Sequence, residues 1–132
     1  MDSEPASIMV VDDSEVIRSL IVLNLELEGF ATSVAKDGQE CLDLVETVRP
    51  DLITLDVAMP RLDGFSTVAR LRANRATSSI PIVMITARAQ GADLERGADL
   101  GVDAYITKPF EPDQLVDTIR GLLAQERDDT PG

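Results

Sequence analysis

Histidine is absent from this chain of 132 residues. Without an imidazole, the chain cannot by itself supply a histidine nucleophile, a histidine general base, a histidine-ligated zinc site or a phosphohistidine. Any chemistry must therefore use carboxylates, hydroxyls, lysine or arginine. Tryptophan is absent too, and the only aromatic residues are three phenylalanines and one tyrosine, so we expect an aliphatic core.

Cysteine occurs once, at Cys41, so no intramolecular disulfide is possible and a reducing compartment is expected. Because Cys41 falls within a helical pattern, we interpret it as a small core or near-surface thiol. The sequence shows neither an apolar run long enough to cross a membrane nor a signal peptide. These features predict a cytoplasmic protein.

Basic residues are outnumbered: 12 lysines and arginines face 24 acids, and the net charge is −12. This balance argues against direct contact with nucleic acid, which attracts a basic surface, and against anionic membranes. It suits a partner protein that carries a basic or apolar patch. A local cluster of carboxylates could also hold a hard divalent cation.

Strand-like and helix-like runs alternate along the chain without a repeat or a low-complexity break. The predicted strands cover residues 8–11, 30–35, 52–56, 81–86 and 104–108, and a helical pattern follows each. This alternation predicts an α/β fold with a parallel sheet, helices on both faces and right-handed crossovers. We expect one domain over residues 7–125, with short polar tails at 1–6 and 126–132.

Polar residues end four of the predicted strands: Asp12 and Asp13, Asp56, Thr86, and Lys108. In open α/β sheets the crevice beyond the carboxyl ends of the strands is where ligands bind. Carboxylates gathered there repel one another unless a cation or a proton lies between them. We therefore interpret the acids as an open Mg²⁺ site. A purely structural cluster is the alternative.

Lys108 and Thr86 would complete a site for a phosphoryl group, since an ammonium and a hydroxyl can neutralise and hydrogen-bond its oxygens. Taken singly, Lys108 could be a solvated lysine and Thr86 a capping hydroxyl. The peptide bond between Lys108 and Pro109 can be cis, which could aim the lysine at the site.

Five segments resemble a known family. They read Val10-Val11-Asp12-Asp13-Ser14, Leu55-Asp56-Val57-Ala58-Met59-Pro60, Asp63-Gly64, Ile85-Thr86-Ala87 and Tyr105-Ile106-Thr107-Lys108-Pro109-Phe110. With these motifs the chain resembles, over about residues 7–125, a CheY-like receiver domain of a two-component response regulator. The resemblance implies a flavodoxin-like (βα)5 sandwich with parallel strand order 2-1-3-4-5.

The resemblance also implies residue roles. Asp56 is expected to be the phosphoacceptor, and Lys108 to contact the phosphoryl group. Asp12, Asp13, Asp56 and the backbone carbonyl of Ala58 are expected to arrange Mg²⁺. Because the chain has no histidine, the donor must be a partner: a sensor histidine kinase or a histidine phosphotransfer protein.

Thr86 and Tyr105 are the implied switch pair. Thr86 would move towards the phosphoryl group, Tyr105 would turn inward, and the surface of the last two helices and the fifth strand would change. Self-dephosphorylation should be moderate to slow, because Ala58 has no polar group to orient water and Arg88 could cover the phosphoryl oxygens.

The first helix, over residues 14–28, has two apolar stripes. Ile17, Ile21 and Leu25, with Leu20 beside them, form the expected core face, and Asn24 falls within the same arc. A second stripe comprises Val16, Leu23 and Leu27. It either packs under a neighbouring helix or docks the helical bundle of a kinase or phosphotransfer protein.

Two other functions are alternatives for a chain with an aspartate at a strand end. A phosphatase of the haloacid-dehalogenase type needs a second acid two residues after its nucleophile, where this chain has Ala58. A receiver-like module that only binds partners would usually lack Asp56, Lys108 or one of the acidic pair. We expect no output domain after Arg127, so the chain is either a stand-alone regulator or a receiver from a larger protein that controls a downstream target.

Overall fold

The computed structural model describes residues 5–57, 62–87 and 91–128, and these ranges form alternating strands and helices. The strands are β1 (Ser7–Val11), β2 (Ala31–Ala35), β3 (Leu52–Asp56), β4 (Ile82–Thr86) and β5 (Ala104–Thr107). The helices are α1 (Glu15–Leu27), α2 (Gly38–Val48), α3 (Gly64–Ala73), α4 (Gly91–Leu100) and α5 (Pro112–Asp128).

The strands form one parallel sheet in the order β2-β1-β3-β4-β5, which confirms the expected flavodoxin-like order. Two aliphatic clusters cover its faces. α1 and α5 contribute Ile21, Leu25 and Ile119 to one cluster, and α2 and α3 contribute Val45 and Val68 to the other. The parallel sheet is therefore buried on both faces, as strands of continuous aliphatic sequence require.

Short polar side chains begin the first three helices. Ser14, Asp37 and Asp63 each accept a hydrogen bond from the backbone N–H three residues ahead, at 3.3, 2.9 and 2.8 Å. Each bond satisfies a donor that the first helical turn leaves without an intrahelical partner. The helices that follow β1, β2 and β3 therefore start at defined positions, and the parallel pairing of the strands puts their carboxyl ends at one edge.

The structure differs from the predicted boundaries at a few places. β2 begins at Ala31 rather than Phe30, because the Phe30 N–H closes the end of α1 on the Leu25 carbonyl at 3.1 Å. β5 ends at Thr107, one residue before Lys108. α5 continues to Asp128, into the segment that the sequence assigns to a polar tail. Within the described ranges, no helix combines the length and apolarity needed to span a bilayer.

The prediction that Leu20 lies on the core face of α1 is wrong, since its side chain is 53% exposed. Ile21 and Leu25 are buried, whereas Ile17 and Asn24 are half-buried. Helical spacing places Leu20 about 100° from Ile21, and that rotation is enough to carry its side chain out of the α1–sheet contact.

Candidate functional site

The three acids predicted from the sequence meet at the carboxyl edge of the sheet. β1 pairs with β3 so that Val11 lies opposite Leu55, which makes the residues that follow them neighbours. One carboxylate oxygen from each of Asp12, Asp13 and Asp56 lies within 4.8 Å of the others. Asp12 and Asp56 are buried and Asp13 is exposed, so the cluster opens to solvent on one side.

Asp12 is held in place by the start of α1. Its Oδ1 accepts a hydrogen bond from the Ser14 N–H at 2.9 Å, and its carbonyl oxygen accepts one from Arg18 Nη1 at 2.8 Å. Arg18 is a contributor that the sequence reasoning missed. Its only signal there is its position one turn beyond the Ser14 cap, which places a long cationic side chain near the end of β1.

Lys108 places an ammonium group among the acids. Its Nζ lies 3.4 Å from Asp12 Oδ2 and 3.6 Å from Asp56 Oδ1. The Lys108 N–H donates to the Thr86 carbonyl at 2.7 Å, which ties the ends of β4 and β5 together, and the Lys108–Pro109 peptide bond is cis. The ammonium is thus in contact with two of the three acids, and the alternative of a purely solvated lysine is wrong.

Val57, the residue after Asp56, lies against the start of α3. The Gly64 N–H donates to the Val57 carbonyl at 2.9 Å. A Cβ on Gly64 would lie 2.5 Å from the Asp56 carbonyl oxygen and 2.9 Å from Val57 Cα, which is too close for any side chain. Gly64 is therefore required where the chain passes behind the acid. Ala58 and Arg88, which the sequence also predicts for this site, lie outside the described residues.

Thr86 and Tyr105 lie on the same face of the sheet. Thr86 pairs with Thr107, and Tyr105 pairs with Met84, so the hydroxyl and the ring belong to adjacent strands two residues apart in register. Thr86 is buried, and Tyr105 packs, half-buried, against the α2–α3 cluster. The structure therefore brings the expected switch pair to one surface.

The donor set fits a hard divalent cation. Three carboxylates face one ammonium, which leaves an excess of negative charge at an open edge. Mg²⁺ typically binds to a few carboxylate oxygens of the protein and completes its coordination shell with waters and phosphate oxygens. Cys41 lies outside this cluster: it is fully buried in α2, where desolvation raises the pKa of its thiol to about 12, so of the two expected positions, core or near-surface, it takes the core.

Comparison with known proteins places this geometry in a family. Residues 8–120 match the family model described as the response regulator receiver domain. The chain therefore belongs to the response regulator receiver family. It is a receiver domain of the two-component type and a signalling switch, which sets it apart from the phosphatases that share a strand-end aspartate.

The curated relatives include DNA-binding regulators. Over 116 residues the chain is 40% identical to the DNA-binding dual master transcriptional regulator RpaA of Synechocystis, covering 88% of this chain and 48% of that protein. Over 131 residues it is 40% identical to the DNA-binding response regulator MtrA of Mycobacterium tuberculosis, covering 99% and 56%. The chain thus spans about half the length of the curated relatives it matches.

Solved structures share the fold over nearly their whole length. The chemotaxis protein CheY4 of Vibrio cholerae superposes with a TM-score of 0.86 at 31% identity, covering 89% of this chain and 98% of that one. A CheY-like receiver domain protein from Methanospirillum hungatei superposes with a TM-score of 0.89 at 25% identity, covering 96% and 99%. Together with the strand order, these likenesses show the CheY-like form of the flavodoxin fold.

Proposed function

We propose that Asp56 is the phosphoacceptor of this receiver and that it takes its phosphoryl group from a phosphohistidine on a partner protein. The observation that supports this most directly is the cluster of Asp12, Asp13 and Asp56 with Lys108 in contact with two of them. The donor is a sensor histidine kinase or a histidine phosphotransfer protein, because this chain contains no histidine.

In the transfer, an Asp56 carboxylate oxygen forms a bond to phosphorus as the bond from phosphorus to the imidazole nitrogen breaks. The imidazole leaves with that electron pair. Lys108 neutralises charge on the phosphoryl oxygens. Asp12, Asp13, Asp56 and the Ala58 carbonyl would hold Mg²⁺, which supplies further positive charge to those oxygens.

Incubation with acetyl phosphate and Mg²⁺, followed by intact-mass measurement, tests this assignment. The wild-type chain should gain one phosphoryl group, and Asp56→Asn should gain none. Asp117→Asn is the matched control, since it removes the same charge from an exposed position on α5 and should be phosphorylated normally. Full phosphorylation of Asp56→Asn would rule out Asp56 as the acceptor.

Phosphorylation would act through Thr86 and Tyr105. Support comes from their placement on one face, with Thr86 buried at the end of β4 beside the Lys108 backbone contact. A phosphoryl oxygen would draw in the Thr86 hydroxyl, and Tyr105 would turn into the vacated space. The changed surface, formed by α4, β5 and α5, would then control a downstream partner or an output domain.

The exposed apolar stripe of α1 is proposed as the kinase-docking surface. Val16, Leu23 and Leu27 are 75%, 55% and 74% exposed, which supports docking over the alternative that this stripe packs under a neighbouring helix of the described chain. Leu20 extends the stripe and also lines a groove of about 420 Å³, whose other lining residues include Lys108 and Phe110. A partner helix on this surface would bury leucines and reach the edge of the phosphoryl site.

Substitution of the stripe separates docking from chemistry. Leu23→Glu and Leu27→Glu should slow phosphotransfer from the cognate kinase at least tenfold and leave acetyl phosphate phosphorylation unchanged. Ala69→Glu, which adds the same charge at an exposed position of α3 on the opposite face of the sheet, is the control and should transfer normally. Equal loss with both donors would mean that the stripe supports the fold rather than docking.

We further propose that the phosphorylated chain hydrolyses its own acyl phosphate at a moderate to slow rate, since the methyl group of Ala58 has no polar atom to orient water. Ala58→Asn should shorten the half-life of the phosphorylated chain, and an unchanged half-life would contradict this.

We place these exchanges in the cytoplasm, in keeping with a single cysteine. The net charge of −12 argues that the receiver itself contacts neither nucleic acid nor membrane.

A further inference from the structure

The ring of Tyr105 lies against the backbone of Gly97 in α4. A Cβ on Gly97 would lie 2.6 Å from Cζ and 2.7 Å from Cε2 of Tyr105, and it would also overlap the phenol oxygen. Cβ contacts under 3.0 Å essentially never occur in proteins. The orientation of Tyr105 seen here is therefore available only because residue 97 has no side chain.

Contacts before and after Gly97 in the sequence hold α4 against α3, so the helix cannot readily move away from the Tyr105 ring. Beyond Gly97, the Gly101 carbonyl accepts hydrogen bonds from Arg72 Nη2 at 2.8 Å and from Nε at 3.1 Å. Immediately before Gly97, the Arg96 guanidinium lies 4.5 Å from the centre of the Phe65 ring. Both contacts attach α4 to α3, so a collision at residue 97 would displace the tyrosine rather than the helix.

We propose that Gly97 is a positioning residue of the switch: the space left by its missing Cβ is the seat of Tyr105 in one of its two orientations. This inference rests on the proposed Thr86–Tyr105 switch and adds the residue on α4 that makes one end state possible. Gly97→Ala should then confine Tyr105 to the other orientation, whatever the state of Asp56.

Tyr105 can be observed directly because it is the only tyrosine of the chain. Incorporation of 3-fluorotyrosine places a single ¹⁹F label in the whole protein. In the wild-type chain, beryllofluoride with Mg²⁺ should move the ¹⁹F resonance between two positions. In Gly97→Ala the resonance should hold one of these two positions with and without beryllofluoride.

Gly121→Ala is the matched control. Gly121 is also a helical glycine, in α5, but a Cβ there meets nothing within 4 Å. Both substitutions raise helix propensity equally, so only the contact with Tyr105 distinguishes them. Gly121→Ala should keep the full wild-type response.

The outcomes separate this inference from the proposed function. A wild-type resonance that ignores beryllofluoride would refute the Tyr105 switch, and the role of Gly97 with it. A wild-type response that persists undiminished in Gly97→Ala would refute the role of Gly97 alone, since the neighbours would then have accommodated the new methyl group.

A second measurement covers the case in which Gly97→Ala folds poorly. The melting temperature should fall when Gly97→Ala is made in the wild-type chain, and it should not fall when the same change is made in Tyr105→Ala, where no ring occupies the seat. An equal fall in melting temperature in both backgrounds would show that the new methyl group does not clash with Tyr105, and it would overturn the inference.

Discussion

The charge balance of the acidic site depends on individual side chains. Lys108 Nζ is 3.4 Å from Asp12 and 3.6 Å from Asp56, so one ammonium partly offsets two buried carboxylates. Asp13 is exposed, and one of its oxygens lies within 4.8 Å of the other two acids. Its charge therefore adds repulsion that a bound cation would relieve.

Asp13→Asn should stabilise the chain when Mg²⁺ is chelated, raising the free energy of unfolding by about 1 kcal/mol, because a like charge within 4.8 Å of the other two is removed. The same variant should lose most of the gain in melting temperature that Mg²⁺ produces in the wild-type chain. Urea denaturation with EDTA and thermal melts across a Mg²⁺ series would measure both effects.

Asp117→Asn is the control, since it removes an exposed charge outside the cluster. If the two variants behave alike in EDTA, the three acids do not repel one another appreciably, and the prediction fails.

Helices of this protein depend on local signals at both ends. α1 starts at the Ser14 cap and ends where Gly29 takes φ +94°, with the Gly29 and Phe30 N–H groups donating to the carbonyls of Glu26 and Leu25. This is the Schellman arrangement, for which a left-handed glycine is favoured. α4 ends the same way at Gly101, with φ +95°.

Gly29→Ala should lower the free energy of unfolding by about 1 kcal/mol, because an L-residue is strained at this positive φ. Steric contact plays no part, since a Cβ on Gly29 meets nothing within 4 Å. Gly121→Ala, in the interior of α5, should instead raise stability by up to about 1 kcal/mol. Opposite shifts of the urea midpoint at equal m-value would confirm both, and shifts of the same sign would contradict the account of the α1 end.

On the α4 side of the molecule, the contacts of one arginine join elements that are distant in the sequence. Arg72, at the end of α3, donates to the Ile80 carbonyl at 2.7 Å, to Ser78 at 3.0 Å and to Gly101 at 2.8 Å. It also pairs with Asp103 at 3.0 Å, and Asp103 accepts the Ile82 N–H that begins β4. One guanidinium thus joins α3, α4, β4 and the approach to β5.

Arg72→Lys should lower the free energy of unfolding by about 2 kcal/mol, since an ammonium cannot reach these acceptors together and leaves carbonyls without partners. Arg70→Lys, at an exposed position on the same helix, should have little effect. Hydrogen exchange should show the loss first at the end of α4. Equal stability of the two variants would show that Arg72 does not join these elements.

The sequence by itself determined the elements and the residues at their ends. Secondary structure depends on neighbours a few positions apart, so its signals are local. These signals are the pattern of apolar residues, the caps Ser14, Asp37 and Asp63, and the acids after β1 and β3. Phe30 was misassigned because a cap and a strand start compete for the same residue. The strand order and the residue roles came from the motifs as a set.

Tertiary packing decided the rest. Lys108 and Asp12 are 96 positions apart, so only the sheet brings the ammonium to the carboxylate. Leu20 faces solvent because the sheet and α5 cover a narrower arc of α1 than helical spacing alone suggests. The contact of Gly97 with Tyr105 and the bonds of Arg72 have no sequence signal at all, since they depend on how close two packed elements approach, a distance that no local pattern contains.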